Sequence, residues 1–303
     1  MIGTISLLAL GAIVIPFVAA LIIVVSPQPY AKWLCIGAAS VSTALTIAVW
    51  AMLAQNGGET VTVALASMGN ATILSLIFDK MSVMLATAFV GIGLLISIYS
   101  VGYMNAGNRE HPDAPRRRFY AFFTVFIGAM AGLVYSDTLV CQLVFFEITG
   151  ACSWALIGYY GTPTANKSAM KALILTHIGA LGLYIATCLL FSQTGTFEIS
   201  AIAGLSDSWK IAVLVCIVIA AWGKSAQLPF YMWLPSAMEA PTPVSAYLHG
   251  ASMVKVGVAV LARALASAGV IPEPVGWVIV IGAIVTMIFS FFMYLSQKDM
   301  KRL

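Results

Sequence analysis

The apolar positions of this chain gather into long runs separated by short polar stretches. Nine runs are close to the twenty or so residues that a helix needs to cross the hydrocarbon layer of a bilayer. They predict helices at about residues 4–25, 31–53, 81–104, 119–135, 138–160, 167–191, 211–228, 241–268 and 275–295. Pro27 and Pro29 predict a tight turn between the first two. Residues 56–79 form a longer connection in which 60–66 alternates, as a short extended or amphipathic piece at the surface does. The segment 105–118, with Pro112 and Pro115, is the most polar loop. The first run has neither a basic flank nor a small-residue cleavage pattern, so it reads as a retained span. The expected fold is an all-α polytopic membrane protein of about nine transmembrane helices.

One block breaks this pattern. Residues 222–255 hold Pro229, Pro235, Pro241 and Pro243 together with Lys224, Glu239, His249 and Lys255. Proline removes a rung of the helical hydrogen-bond ladder, and the freed carbonyls are tolerated at membrane depth only where they face protein or a water-filled cavity. A bare lysine or glutamate near the bilayer centre costs about 3 kcal/mol on insertion scales, so such residues are paired, hydrated and functional. A broken helix carrying buried charge is how transporters build an ion site. The seventh helix is therefore expected to be proline-broken.

Composition narrows the class. The chain is 61% hydrophobic and 9% charged, against about 25% charged in soluble domains. The five cysteines, Cys35, Cys141, Cys152, Cys188 and Cys216, fall in apolar runs without metal-ligand spacing and read as small core residues. No basic run is interleaved with aromatics, which argues against nucleic-acid binding. There is no nucleophile elbow, phosphate loop or haem-ligand pair, so any redox or hydrolytic chemistry belongs to a partner. Alternating sides along the nine helices puts Lys32, Arg109, Arg116, Arg117, Arg118, Lys167, Lys171, Lys298, Lys301 and Arg302 together. The other side receives Lys80 and Lys210 with Glu59, Asp79, Asp137, Glu198, Asp207 and Glu273. The positive-inside rule assigns the first side to the cytoplasm and the N-terminus to the outside.

Each charge within a span has a functional and a structural reading. Glu147 lies about ten residues past Asp137, roughly 15 Å into its helix, between aromatic neighbours; it is a proton-path carboxylate or a tie between two helices. Lys224, deep in the seventh helix before Pro229, is a proton-exchanging amine or half of a permanent ion pair with Glu147. Lys255 sits mid-way along the eighth helix. His249, six residues earlier and about 240° round, does not share its face, yet Ser252 and water would let both border one hydrated path. His177 and Glu239 are weaker candidates, Glu239 as a mouth residue or a plain loop charge. Arg263 is expected to snorkel to the interface, and Trp154 to be packing.

The motifs KSAQLP at 224–229, WLPSAMEAPTPVSAYLH at 233–249 and MVKVGV at 253–258 resemble the antiporter-like subunits of respiratory complex I and the large subunits of Mrp sodium/proton antiporters. The resemblance continues through FFEIT at 145–149 and KSAMKA at 167–172, and ends at QKDMKRL, 297–303. Within this family NREHP at 108–112, VFIGAMAGLV at 125–134 and FEITGACSWALI at 146–157 most resemble component D of hydrogenase-4, from a formate-hydrogenlyase-type membrane arm.

The resemblance implies that Glu147 and Lys224 form the charge pair of a proton path and that His249 and Lys255 are its eighth-helix relay. It implies an N-terminal three-helix segment (1–104), a cytoplasmic loop (105–118), one complete five-helix repeat (119–268) and the first helix of a second (269–303), the remainder being truncated or supplied by a separate chain. Ala180 stands where the distal complex I subunit has an aspartate, which leaves His177 as a substitute. The function implied is proton translocation in an energy-converting hydrogenase complex of a bacterial or archaeal cytoplasmic membrane. A complex I or Mrp-type Na+/H+ antiporter subunit is the first alternative, and a structural scaffold without ion conduction the second. The chain itself needs no cofactor. A nickel-iron centre and iron-sulfur clusters are expected on peripheral hydrogenase subunits, with other membrane-arm subunits and lipid as further partners.

Overall fold

The computed structural model describes residues 2–69, 71–105, 116–299 and 301. Arg109, Pro112, Pro115, Arg302 and the segment NREHP therefore lie outside the described residues. Helix α1 (Ile2–Val25) packs on α2 (Gln28–Gln55). A hairpin of β1 (Val61–Met68) and β2 (Ala71–Phe78) follows, and then α3 (Lys80–Tyr103), α4 (Arg116–Tyr135), α5 (Leu139–Ile157) and α6 (Pro163–Thr194). After a 3-10 turn at Ile199–Gly204 comes α7 (Asp207–Lys224), and then the interrupted stretch. This comprises a 3-10 turn at Phe230–Met232, α8 (Trp233–Ser236), a second 3-10 turn at Ala237–Glu239 and α9 (Thr242–Ser245). A π-turn over Ala246–Ala251 leads into α10 (Met253–Ser267), and α11 (Glu273–Ser296) closes the described chain.

Among the described residues eight helices, with Thr242–Ser267 counted as one, are long and apolar enough to cross a membrane. The ninth expected span is α7, whose eighteen residues carry Asp207, Lys210 and Lys224. It is held inside the bundle between α6 and α10. Gly179 on α6 and Gly223 on α7 meet backbone to backbone, so a β-carbon on either would overlap the other's Cα. Local sequence also explains α1. Pro16 has no N–H, which leaves the Ala12 carbonyl without its helical donor, and the Ser42 hydroxyl of α2 donates to it at 2.6 Å.

The hairpin departs from an all-helical chain. The extended reading of 60–66 is met by β1, which pairs antiparallel with β2 from Val61↔Phe78 to Met68↔Ala71. The hairpin is stitched into the bundle: Leu76 bridges to Ser136, Thr138 donates to the Ile73 carbonyl, and Thr138 bridges in turn to Glu198.

The core lies along α4, which packs against α1, α2, α3 and α5 and buries Phe119, Phe123, Phe126 and Met130. At the other extreme α11 buries only Val275 and exposes Trp277, Ile284, Phe291 and Phe292. Exposure on that scale suits lipid or another subunit. Two expectations need correction here. Cys188 is exposed on α6 and Cys216 half-buried, so only Cys35, Cys141 and Cys152 are core cysteines. Trp154 faces outward rather than packing in the core.

Candidate functional site

Three of the expected site residues converge where α5, α6 and α7 meet. The Lys224 side chain is 1% exposed. Its ammonium contacts the Thr149 hydroxyl at 3.4 Å and lies 4.5 Å from the centre of the Phe146 ring. Gly150, one turn beyond Phe146 on α5, makes room for it. A β-carbon there would stand 3.1 Å from Lys224 Nζ and 3.5 Å from His177 Cε1, so lysine and histidine flank one point. Glu147 does not form the direct ion pair with Lys224 that the sequence suggests. Its Oε2 lies 2.7 Å from Nε2 of His177. The glutamate nevertheless remains near enough for its charge to act on Lys224. The physical reason is packing: α6 presents His177 within hydrogen-bond reach of Glu147, while Lys224 meets Thr149 and the Phe146 ring instead.

The break in α7 begins one residue past Lys224. Ala226 adopts a left-handed conformation (φ 53°), and the Leu228–Pro229 peptide is cis. Pro235 lies inside α8, Pro241 precedes α9 and Pro243 is in its first turn, so all four expected prolines interrupt or start helices. The Gly223 carbonyl, freed by the break, finds a donor. Trp233, fully buried, gives its indole N–H to the Gly223 carbonyl at 2.9 Å. Ser225 in turn donates to the Val254 carbonyl of α10 at 2.8 Å. A buried Trp needs an acceptor for its N–H, and that requirement was the signal in the sequence that Trp233 does more than pack.

Trp233 also neighbours His249, whose ring lies 6.1 Å from its own, tilted by 33°. Both His249 nitrogens are buried without a hydrogen-bond partner among the described residues. The ring sits in the π-turn, a distortion that often marks functional positions. Lys301, read from sequence as a plain cytoplasmic charge, reaches back so that its ammonium donates to the Ala240 carbonyl at 2.6 Å and acts on His249. Glu239 ends the neighbouring 3-10 turn, half-buried.

Lys255 stands apart. Val254 and Gly257 form the face of α10 that meets α7, and Lys255 is turned about 100° from Val254. It is exposed on a groove of about 410 Å³ between α3 and α10, lined by Met84, Leu85, Phe89 and Val258.

Arg263 does not snorkel. It is 5% exposed and makes a bidentate pair with Asp79, 2.6 Å and 2.9 Å, across α10 and α3. Asp79 is also the N-cap of α3, accepting from the Ser82 amide in a capping box. Burial alone raises the Asp79 carboxyl; hydrogen bonds from Arg263 and Ser82 and the guanidinium charge outweigh it and hold the group below the usual carboxylate range. Asp137 is raised, first by burial and then by the nearby Glu198. No cluster of metal-ligand type occurs among the described residues.

Residues 136–303 match the family described as "NADH:quinone oxidoreductase/Mrp antiporter, TM", and residues 67–120 match "NADH-Ubiquinone oxidoreductase (complex I), chain 5 N-terminus". The chain belongs to the NADH:quinone oxidoreductase/Mrp antiporter family. Its relatives in that family include NADH-quinone oxidoreductase subunit L of Buchnera aphidicola, 38% identical over 76% of this chain and 37% of the relative. A Na(+)/H(+) antiporter subunit of Alkalihalophilus pseudofirmus is 35% identical over 74% of this chain and 28% of its own length. This chain thus spans well under half the length of these relatives. Among solved structures it resembles the Mrp complex from Dietzia, with a TM-score of 0.73 and 29% identity over 88% of this chain and 28% of that one. The archaeal membrane-bound sulfane sulfur reductase shares the fold, with a TM-score of 0.79 at 20% identity over 97% of this chain and 61% of that one.

Proposed function

We propose that this chain is a proton-translocating, antiporter-like subunit in the membrane arm of a multi-subunit redox complex. The observation that carries the reading is Lys224: an ammonium 1% exposed, at the end of a broken helix, beside a glutamate already engaged by a histidine. A buried lysine without a direct ion pair costs several kcal/mol, and an ionisable residue kept in a membrane-spanning bundle at that cost marks a functional site. With Glu147→Gln or Lys224→Ala, the complex reconstituted in vesicles should assemble and yet fail to acidify one side. Full pumping by both variants refutes the reading.

Within the family the finer reading is a hydrogenase-type complex of a bacterial or archaeal cytoplasmic membrane, with nickel-iron and iron-sulfur centres on its peripheral subunits. It is supported by the segments VFIGAMAGLV and FEITGACSWALI. The names of the relatives favour a second reading, a complex I or Mrp-type subunit handling Na+ or H+. Purification of the tagged chain with its partners separates the two: nickel in the complex supports the first, an NADH-oxidising flavoprotein or a metal-free antiporter assembly the second. For orientation we propose the N-terminus outside. Arg117 lies at one end of the bundle against the Ser26 carbonyl, while Asp79 and Asp137 lie at the other, which supports that reading.

A further inference from the structure

His177 makes two polar contacts that together determine where its protons are. Nδ1 lies 2.8 Å from the Leu173 carbonyl of its own helix. A carbonyl oxygen only accepts, so Nδ1 carries a hydrogen and donates it. Nε2 lies 2.7 Å from Glu147 Oε2. Two lone pairs do not approach so closely without a proton between them. The pair therefore holds one proton on that line, as imidazolium with carboxylate or as imidazole with carboxylic acid; the net charge is zero in both.

We infer that Glu147 and His177 form a one-proton store, with the imidazole tautomer set by Leu173, from which Lys224 is charged. The last part rests on the proton-transport reading above. In the first step the Nε2–H bond breaks and an Oε2–H bond forms, leaving a neutral imidazole and a carboxylic acid. Glu147 then gives that proton to the neutral amine of Lys224, becoming carboxylate beside an ammonium. A further proton taken up at Nε2 refills the store. No electron moves. Before the second step the carboxylic acid turns about its Cγ–Cδ bond, which carries the protonated oxygen from the His177 side to the place of Oε1, a buried oxygen with no hydrogen-bond partner among the described residues. The other titratable groups acting here are Lys224 from α7, Cys152 from α5 and Tyr184 from α6, whose hydroxyl interacts with Glu147.

His177 opens sideways on the α5–α6 face, among Val144, Ile174, Ile178 and Leu181, an apolar surface of the kind that lipid or another subunit covers.

The chain has three histidines, which makes the test tractable. Nitrogen-15 NMR of histidine-labelled protein in membranes, with H177N to assign the signal, should show Nδ1 protonated and Nε2 sharing or carrying a proton. In E147Q the same ring should keep the Nδ1 hydrogen and lose the one at Nε2. A protonated Nε2 that survives in E147Q, or an unprotonated Nδ1 in the parent, overturns the store whatever the pumping result. Pumping by the same variants is read separately. Intact pumping in E147Q with the NMR pattern as expected removes Lys224 charging and the transport reading while the shared proton stands.

Discussion

Asp79→Asn tests whether the Asp79–Arg263 pair ties α3 to α10. The substitution keeps an N-cap oxygen at the start of α3, since Asn caps as well as Asp. It removes the carboxylate from a guanidinium whose side chain is only 6% exposed. Removing one partner of a buried pair costs about 3–5 kcal/mol. Arg263→Gln leaves instead a carboxylate that is 22% exposed and still accepts from the Ser82 amide. Its cost should be smaller, about 1–3 kcal/mol. The double variant should recover about 2 kcal/mol of the sum, as coupled neighbours do. Unfolding of the purified protein in mixed micelles, followed by helicity in a double-mutant cycle, measures all three. A cost for Asp79→Asn below that of Arg263→Gln, or strict additivity, would refute the argument that the stranded cation dominates.

Acid stability should show two opposed carboxylates. Asp79 is depressed in the fold, so its contribution is present above the unfolded carboxylate pKa, about 4, and is lost as pH falls through its lower folded value. Asp137 is raised, so its contribution is present below about 4 and is lost as pH rises through the folded value. Asp137→Asn should therefore stabilise the protein at neutral pH, with the gain vanishing on acidification, as thermal melts across pH will show. Gly150→Ala, whose new methyl meets Lys224 Nζ and His177, should depress proton transport while leaving assembly intact; unchanged transport in vesicles would mean that the lysine is not held as described. Trp233→Phe strips the Gly223 carbonyl of its donor and should cost about 1–3 kcal/mol, measured by the same micelle unfolding. Amine-reactive labelling of the folded chain in detergent should modify Lys255 and spare Lys224, read by peptide mass mapping.

Much of this was written in the one-dimensional pattern. Run length and apolar content set the helices, because a bilayer admits only segments that satisfy their own backbone. The prolines at 229, 235, 241 and 243 announced the interruption, because proline lacks the donor a helix needs. Glu147, His177 and Lys224 stood out because charge at that depth is costly wherever it points. Pairing was another matter. Glu147 chose His177 over Lys224, Arg263 chose Asp79 across 184 positions of sequence, and Lys255 turned outward. Each outcome depends on helix rotation and crossing, set by contacts such as Gly179 against Gly223 on separate helices. Residue order fixes which groups are buried at what depth; only packing in three dimensions decides which of them touch.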